Sequence, residues 1–160
     1  MTTRFIAPLA RRALQFLVAA ALLLVTAAAW GQPRFSISVG GTEVTDHRTG
    51  LVWQRCSAGQ SYTGGVCTGA AAALTHEQAQ VHARSQPGWR LPNVKELSSL
   101  VDEMGSSPSI DPSFPQTPSV AFWTSSPRAG APGVAWYVDF GDGGAFYYSR
   151  NLAVRLRLVR

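Results

Sequence analysis

Hydrophobic and polar positions alternate near both ends of residues 35–160 and fall at helical spacing only in between. Phe35, Ile37 and Val39 alternate with serines, which is strand periodicity, and Gly40-Gly41 marks the turn that follows. Val44-Thr45-Asp46 leads to a second turn at Arg48-Thr49-Gly50. Leu51-Val52-Trp53 is a short β-rich run that predicts a buried strand. Thr75, with Gln78 three residues on, has the capping-box pattern of a helix start. Ala79 and Ala83 share a face of that helix, and Ser85 to Gly88 ends it. Trp89-Arg90-Leu91 reads as extended, because Pro92 holds Leu91 away from helical angles. Asn93 and Glu96 repeat the capping box, and Val94, Leu97, Leu100 and Val101 give a second helix an apolar face that runs to Gly105.

Residues 106–118 hold four of the ten prolines, too many for regular structure, and predict a long ordered loop. Ala121 to Thr124 then reads as strand. Val134, Trp136, Val138 and Phe140 alternate with Ala135, Tyr137 and Asp139. Gly141 to Gly144 is a hairpin turn, Ala145 to Ser149 returns, and Val154, Leu156 and Leu158 alternate with Arg155 and Arg157. The last forty residues therefore predict a meander of three or four antiparallel strands. Helices are segregated from strands rather than alternating with them. This makes the fold class α+β, with mixed antiparallel strands, two helices and a long loop region, and argues against a parallel doubly wound sheet.

Charge is informative only after the first 31 residues are set apart. Arg4, Arg11 and Arg12 precede an apolar run from Phe16 to Val25, and small residues follow at Ala27 to Ala29. This is the order of a secretory signal peptide over residues 1–31, with cleavage after Gly31 and Ala29 as the near alternative. An uncleaved membrane anchor is the competing reading. The apolar core of about 10 residues falls short of the roughly 20 that a bilayer span needs. The whole chain carries 14 basic and 9 acidic groups, but three of the basic ones and no acidic one lie in the leader. Eleven against nine is no basic stripe, so nucleic acid is excluded as a partner. The same reading predicts an exported chain, periplasmic, secreted or at the cell surface, with no membrane span after cleavage.

An oxidising compartment gives the two cysteines, Cys56 and Cys67, a reading as one disulfide around a flexible Gly- and Ser-rich loop. Closing a loop of that size stabilises by about 3 kcal/mol in the chain-entropy model. A zinc site is the alternative, but the histidines stand elsewhere and the spacing does not suit one.

Six short segments carry a family resemblance in order. They are Val44-Thr45-Asp46, Thr49-Gly50-Leu51-Val52-Trp53-Gln54, Trp89-Arg90-Leu91-Pro92 with Glu96-Leu97, Ile110-Asp111 with Phe114-Pro115, Phe122-Trp123-Thr124-Ser125-Ser126, and the closing Arg157-Leu158-Val159-Arg160. With these, the chain resembles the Lcl C-terminal-like domain family over about residues 42–160, leaving 32–41 as an N-terminal strand and lead-in. The family is named for the end domain of the Legionella collagen-like adhesin. The resemblance implies a C-type-lectin-like fold in which the first and last strands pair. It also implies adhesion to glycans, sulfated polysaccharides above all. A cysteine pair suits many members. The collagen-like repeat of that adhesin is absent here, as are the Glu-Pro-Asn and Trp-Asn-Asp motifs of calcium-dependent lectins, so no metal and no cofactor are expected.

No nucleophile elbow, phosphate-binding glycine loop or metal-spaced histidine pair is present, so the expectation is that the chain is not an enzyme. Asp139 and Asp142 are either turn carboxylates or a cation site. Trp53, Trp89 and Trp123 sit in apolar motifs and are read as core. Strand alternation places Trp136 with Val138 and Phe140 on the buried face and turns Tyr137 outward. Residues 121–160 hold five arginines against two aspartates. Tyr137 as a stacking platform, with Arg150 and Arg155 as charge contacts, is therefore the candidate site for an anionic polysaccharide. The expected function is a non-catalytic binding module, adhesin-like and polysaccharide-recognising. The alternative is a protein-interaction or structural subunit of a cell-envelope or surface assembly, with a surface protein as partner. The oligomeric state is not encoded in any motif.

Overall fold

The computed structural model describes residues 33–105 and 107–160, and the proposed leader lies outside the described residues. Residues 34–160 form one compact unit. Three antiparallel sheets and two short helices make it α+β, as the segregation of periods predicts. The first sheet joins β1 (Phe35–Ile37), β2 (Glu43–Asp46) and β3 (Leu51–Gln54) in chain order. The alternating run from Phe35 ends sooner than its pattern predicts. Phe35 packs against the core, whereas Ile37 and Val39 are exposed.

The disulfide loop is not the flexible segment its composition suggests. Cys56 and Cys67 are bonded with their Cα atoms 5.5 Å apart, and the loop folds into a hairpin of β4 (Ser61–Thr63) and β5 (Val66–Thr68). Gly64 and Gly65 both have positive φ, 60° and 92°, which is what a two-residue hairpin turn requires. The two glycines read as flexibility therefore set the turn.

Both capping boxes are present. Helix α1 (His76–Arg84) starts from Thr75 and Gln78, and α2 (Val94–Ser98) from Asn93 and Glu96. The second helix stops well before Gly105. The Ser99 hydroxyl donates back to the Glu96 carbonyl, and Val101 leaves the helix to bridge Ile110 of the long loop. A hydroxyl that engages its own backbone competes with helix continuation, and the apolar period alone does not register this. Leu97 and Leu100 are buried as expected.

The third sheet is β6 (Ala121–Arg128), β7 (Ala131–Asp139) and β8 (Ala145–Ser149), the expected meander. The segment from Val154 is not its fourth strand. It threads back through the unit, bonding in turn to Leu74, Ala121 and Trp123, Ala58 and β3. Val159 bridges both Trp53 and Arg90, so the chain end closes on the first sheet.

That threading divides the core in two. Phe122, Val138 and Phe140 pack with Val44, Trp53, Leu97, Phe114 and Val159. Trp123 and Ala135 pack with Ala79, Ala83, Leu91 and the three apolar side chains Val154, Leu156 and Leu158. Adjacent residues of β6 thus enter different clusters, as alternation along a strand requires, and the β6–β7 pair is covered on both faces. Trp53 and Trp123 are core, as predicted, but Trp89 is only half-buried at the edge of the second cluster.

Two charged side chains are wholly buried. Asp46 pairs with Arg34 and accepts the backbone N–H of Arg48. Burial alone raises its pKa, but the hydrogen bonds from Arg34, Arg48 and Thr49 outweigh it and hold the carboxyl below its usual value. Arg157 has no carboxylate. It donates to the carbonyls of Gln54 and Arg55, to Ser57 Oγ and to Thr117 Oγ1, over the ring of Phe114. Burial pushes its pKa down to about 9, so the guanidinium is still charged at neutral pH. Replacing it by a methionine of similar length strands at least two buried carbonyls, each costing about 1–3 kcal/mol. We expect Arg157→Met to lower the urea-unfolding free energy by about 3 kcal/mol. Arg157→Lys, which cannot reproduce the fork, recovers only part of it. A methionine variant as stable as the parent would show that these hydrogen bonds are not what holds the segment.

Candidate functional site

The predicted outer face of the meander rests on a one-sided sheet, and the sheet has two covered faces. Trp136 and Tyr137 are consequently both half-buried. Tyr137 pairs across β6 with Trp123 and across β8 with Phe146, and its ring meets both, at 6.3 and 5.8 Å between centroids. Its hydroxyl pKa is raised by burial first, and then by the charges of Asp139 and Asp142. Tyr137 is thus packed rather than presented, on the acidic side of the sheet. The exposed aromatic residues are one strand further out, at Phe146, Tyr147 and Tyr148 of β8. Tyr147 lies edge-on to Trp136 at 5.3 Å, and the Arg128 guanidinium sits 3.6 Å from the centre of its ring.

Arg150 and Arg155 are not brought together. Arg150 follows β8 and donates its backbone N–H to Gly133 at the start of β7, whereas Arg155 lies against Ala121 and Trp123 on the far side of β6. About three strand spacings of roughly 4.8 Å separate those backbones. Asp139 and Asp142 accept the backbone N–H groups of Gly141 and Gly144, so they serve as turn carboxylates. Among the described residues no group of three or more side chains could hold a metal ion.

What Arg150 does meet is helix α1. Glu77, Gln80 and Arg84 are spaced three and four residues apart, so they line one side of the helix. With Pro127, Gly133 and Arg150 opposite, they bound an open polar groove of about 560 Å³. Sequence reasoning missed Arg84, because its partner in space is 66 positions away and nothing local signals the contact. The ion pairs among the described residues are Arg34–Asp46, Arg90–Glu96 and Arg160–Glu43, and neither groove arginine belongs to one. Arg150 Nε is out of water and has no hydrogen-bond partner. Beneath them His76 is buried, edge-on to Trp123, with Nε2 donating to the Thr124 carbonyl. Burial and the neighbouring Arg150 charge lower its pKa, although the Thr124 bond works the other way.

A second open groove, of about 550 Å³, runs between the disulfide hairpin and α1. Its two aromatic walls are already in use. Arg160 covers Trp89, Arg55 covers Tyr62, and a Cβ at Gly41 would run into the Tyr62 ring. Each ring thus already carries a guanidinium on one face.

A family model described as the Lcl C-terminal domain matches residues 42–160. The chain belongs to that family, as its six ordered segments imply. None of the curated proteins compared with it matches.

His76 gives the groove a pH signature. Its folded pKa lies below the ordinary value of about 6.5, so the unfolded chain takes up the proton first as pH falls. The contribution is complete above about pH 6.5 and is lost progressively below it. We expect the melting temperature to fall between about pH 7 and 5. His76→Gln, which keeps a donor for Thr124, should flatten that slope; an unchanged slope would mean that His76 protonates freely in the folded protein.

Proposed function

We propose that this member of the Lcl C-terminal domain family is an exported, non-catalytic binding module, an adhesin-like domain that recognises an anionic polysaccharide at the cell surface. The observation that carries the reading is the α1 groove, where Arg84 and Arg150 face one open space without a carboxylate bound to either. Guanidinium groups fork to sulfate and carboxylate oxygens, and Arg150 Nε is a desolvated donor without an acceptor. Gln80, Ser125 and Asn151 add neutral hydrogen-bonding groups of the kind that sugar hydroxyls require. The reading keeps Arg150 from the sequence-based site and puts Arg84 in place of Tyr137 and Arg155. We also propose a C-type-lectin-like fold, supported by the small sheets, the long loop and the return of the chain end to β3.

Two arginines beside one glutamate make a weak site, sensitive to salt because the groove is open and Arg84 is exposed. No helix among the described residues is long and apolar enough to cross a membrane. The alternative, a protein-interaction subunit of a surface assembly, is favoured by one feature, the exposed aromatic edge strand β8. Retention on immobilised heparin separates the two. We expect the parent to be retained at low salt and released as salt rises. Arg84→Ala/Arg150→Ala should elute in the void, and Arg155→Ala should elute with the parent. Equal retention of all three proteins removes the groove as the site, and a parent that never binds favours the protein-interaction reading.

A further inference from the structure

Strand β8 is a sheet edge with none of the usual protection. It pairs only with β7, all five of its residues are exposed, and Ala-Phe-Tyr-Tyr-Ser carries no charge, proline or bulge. Edge strands of this kind are templates for a further strand. The register shows which backbone groups are free. Asp139 N–H bonds to the Gly144 carbonyl and Arg150 N–H to the Gly133 carbonyl, so residues 144, 146, 148 and 150 bond inward to β7. Ala145, Tyr147 and Ser149 must then turn their N–H and C=O groups outward, off the edge. Of these, the Ser149 carbonyl also accepts from Leu152 and has a second lone pair free.

From this we propose that β8 pairs with β8 of a second copy of the chain, antiparallel and centred on Tyr147, joining two three-stranded sheets into one of six. Of the antiparallel registers that set outward groups against outward groups, this one pairs all five residues of β8. Tyr147 exchanges two hydrogen bonds with its own copy, and Ala145 and Ser149 exchange theirs with Ser149 and Ala145. Phe146 falls opposite Tyr148 twice on one face, and Tyr147 meets Tyr147 on the other, pairings of the aromatic kind that stabilise cross-strand contacts. The ends match in charge as well. Arg150 lies opposite Gly144 of the second copy, two residues from the exposed Asp142, and the same contact recurs at the other end. Arg128 reaches Tyr147 from the β6 side, so the free edge stays uncharged. A one-residue shift sets outward groups against inward ones, and a two-residue shift, although it keeps outward groups facing outward groups, pairs only three residues of β8 with three.

The interface of five residues a side is small against the roughly 800 Å² per partner of a stable complex, so the dimer is concentration-dependent. It stands whether or not the α1 groove holds a polysaccharide. Two grooves on one continuous sheet would nevertheless supply the multivalency that a single weak site lacks.

Sedimentation velocity across a wide concentration series tests it. The parent should pass from monomer to dimer. Tyr147→Lys places like charges opposite one another and should weaken association by about tenfold or more. Mixing Tyr147→Lys with Tyr147→Glu should restore a dimer. Should the lysine variant fail to fold, cross-linking decides. Tyr147→Cys should form a covalent dimer on mild oxidation, and Ala145→Cys, which faces Ser149, should not. A parent that stays monomeric at millimolar concentration, a lysine variant that dimerises like the parent, or equal cross-linking at 145 and 147 would each overturn the proposal.

Discussion

The guanidinium of Arg157 lies wholly out of water with no carboxylate near it, and two other stretches of chain converge on it. They are the run from the end of β3 into the disulfide loop, with Gln54, Arg55 and Ser57, and the proline-rich loop at Phe114 and Thr117. A buried charge without a counterion is expensive, and dipoles are what compensate it here. Two carbonyls and two hydroxyls point their oxygens at the fork, and the face of Phe114 adds its negative quadrupole. Lysine could not reach these acceptors together, which is why the planar, five-donor side chain stands at this position. The arrangement has no regular secondary structure to rely on. The backbone carbonyls of Gln54 and Arg55 and the hydroxyl oxygens of Ser57 and Thr117 need donors here, and Arg157 supplies them from one residue.

Fixing the C-terminal segment in this way also determines what surrounds the third sheet. Because Val154, Leu156 and Leu158 face the second cluster while Arg157 and Val159 face the first, one extended segment seals both halves of the core. The β6–β7 pair is then buried on both faces. The corner where the chain leaves β8 and turns back toward Leu74 is pinned by the His76 N–H to the Arg150 carbonyl, and this puts Arg150 beside α1. The groove is thus a consequence of the threading rather than a feature of any one element.

Much of the local structure was legible. Both capping boxes, the three-stranded meander, the cysteine pair and the loop of prolines follow from short-range chemistry, and short-range chemistry is what a sequence displays. Three features depart from the local pattern, each for a physical reason. The second helix ends at a serine hydroxyl that its apolar period ignores. Gly64-Gly65 reads as slack but adopts the positive φ angles of a tight turn. Alternation gives Tyr137 an outer face only if one side of the meander is open, and the segment from Val154 helps to cover that side. The Arg84–Arg150 juxtaposition was out of reach altogether, since it depends on the threading and leaves no periodic trace.

The third sheet is polar along its length, and this bears on where an anion can approach. At one end the β7–β8 turn carries Asp139 and Asp142, whose charges are felt as far as the Tyr137 hydroxyl. At the other end stand Arg128, Arg150 and, across the groove, Arg84. The local excess of arginines in residues 121–160 is therefore not spread over the strands. Arg157 is sealed in the core, Arg160 is paired with Glu43, and Arg155 is held along the far edge of β6. Of the five, only Arg128 and Arg150 remain at the basic end, and only Arg150 borders a space open to a ligand. Counting charges along the chain finds the right third of the molecule. Which of those charges can act is decided by what each one is already bonded to.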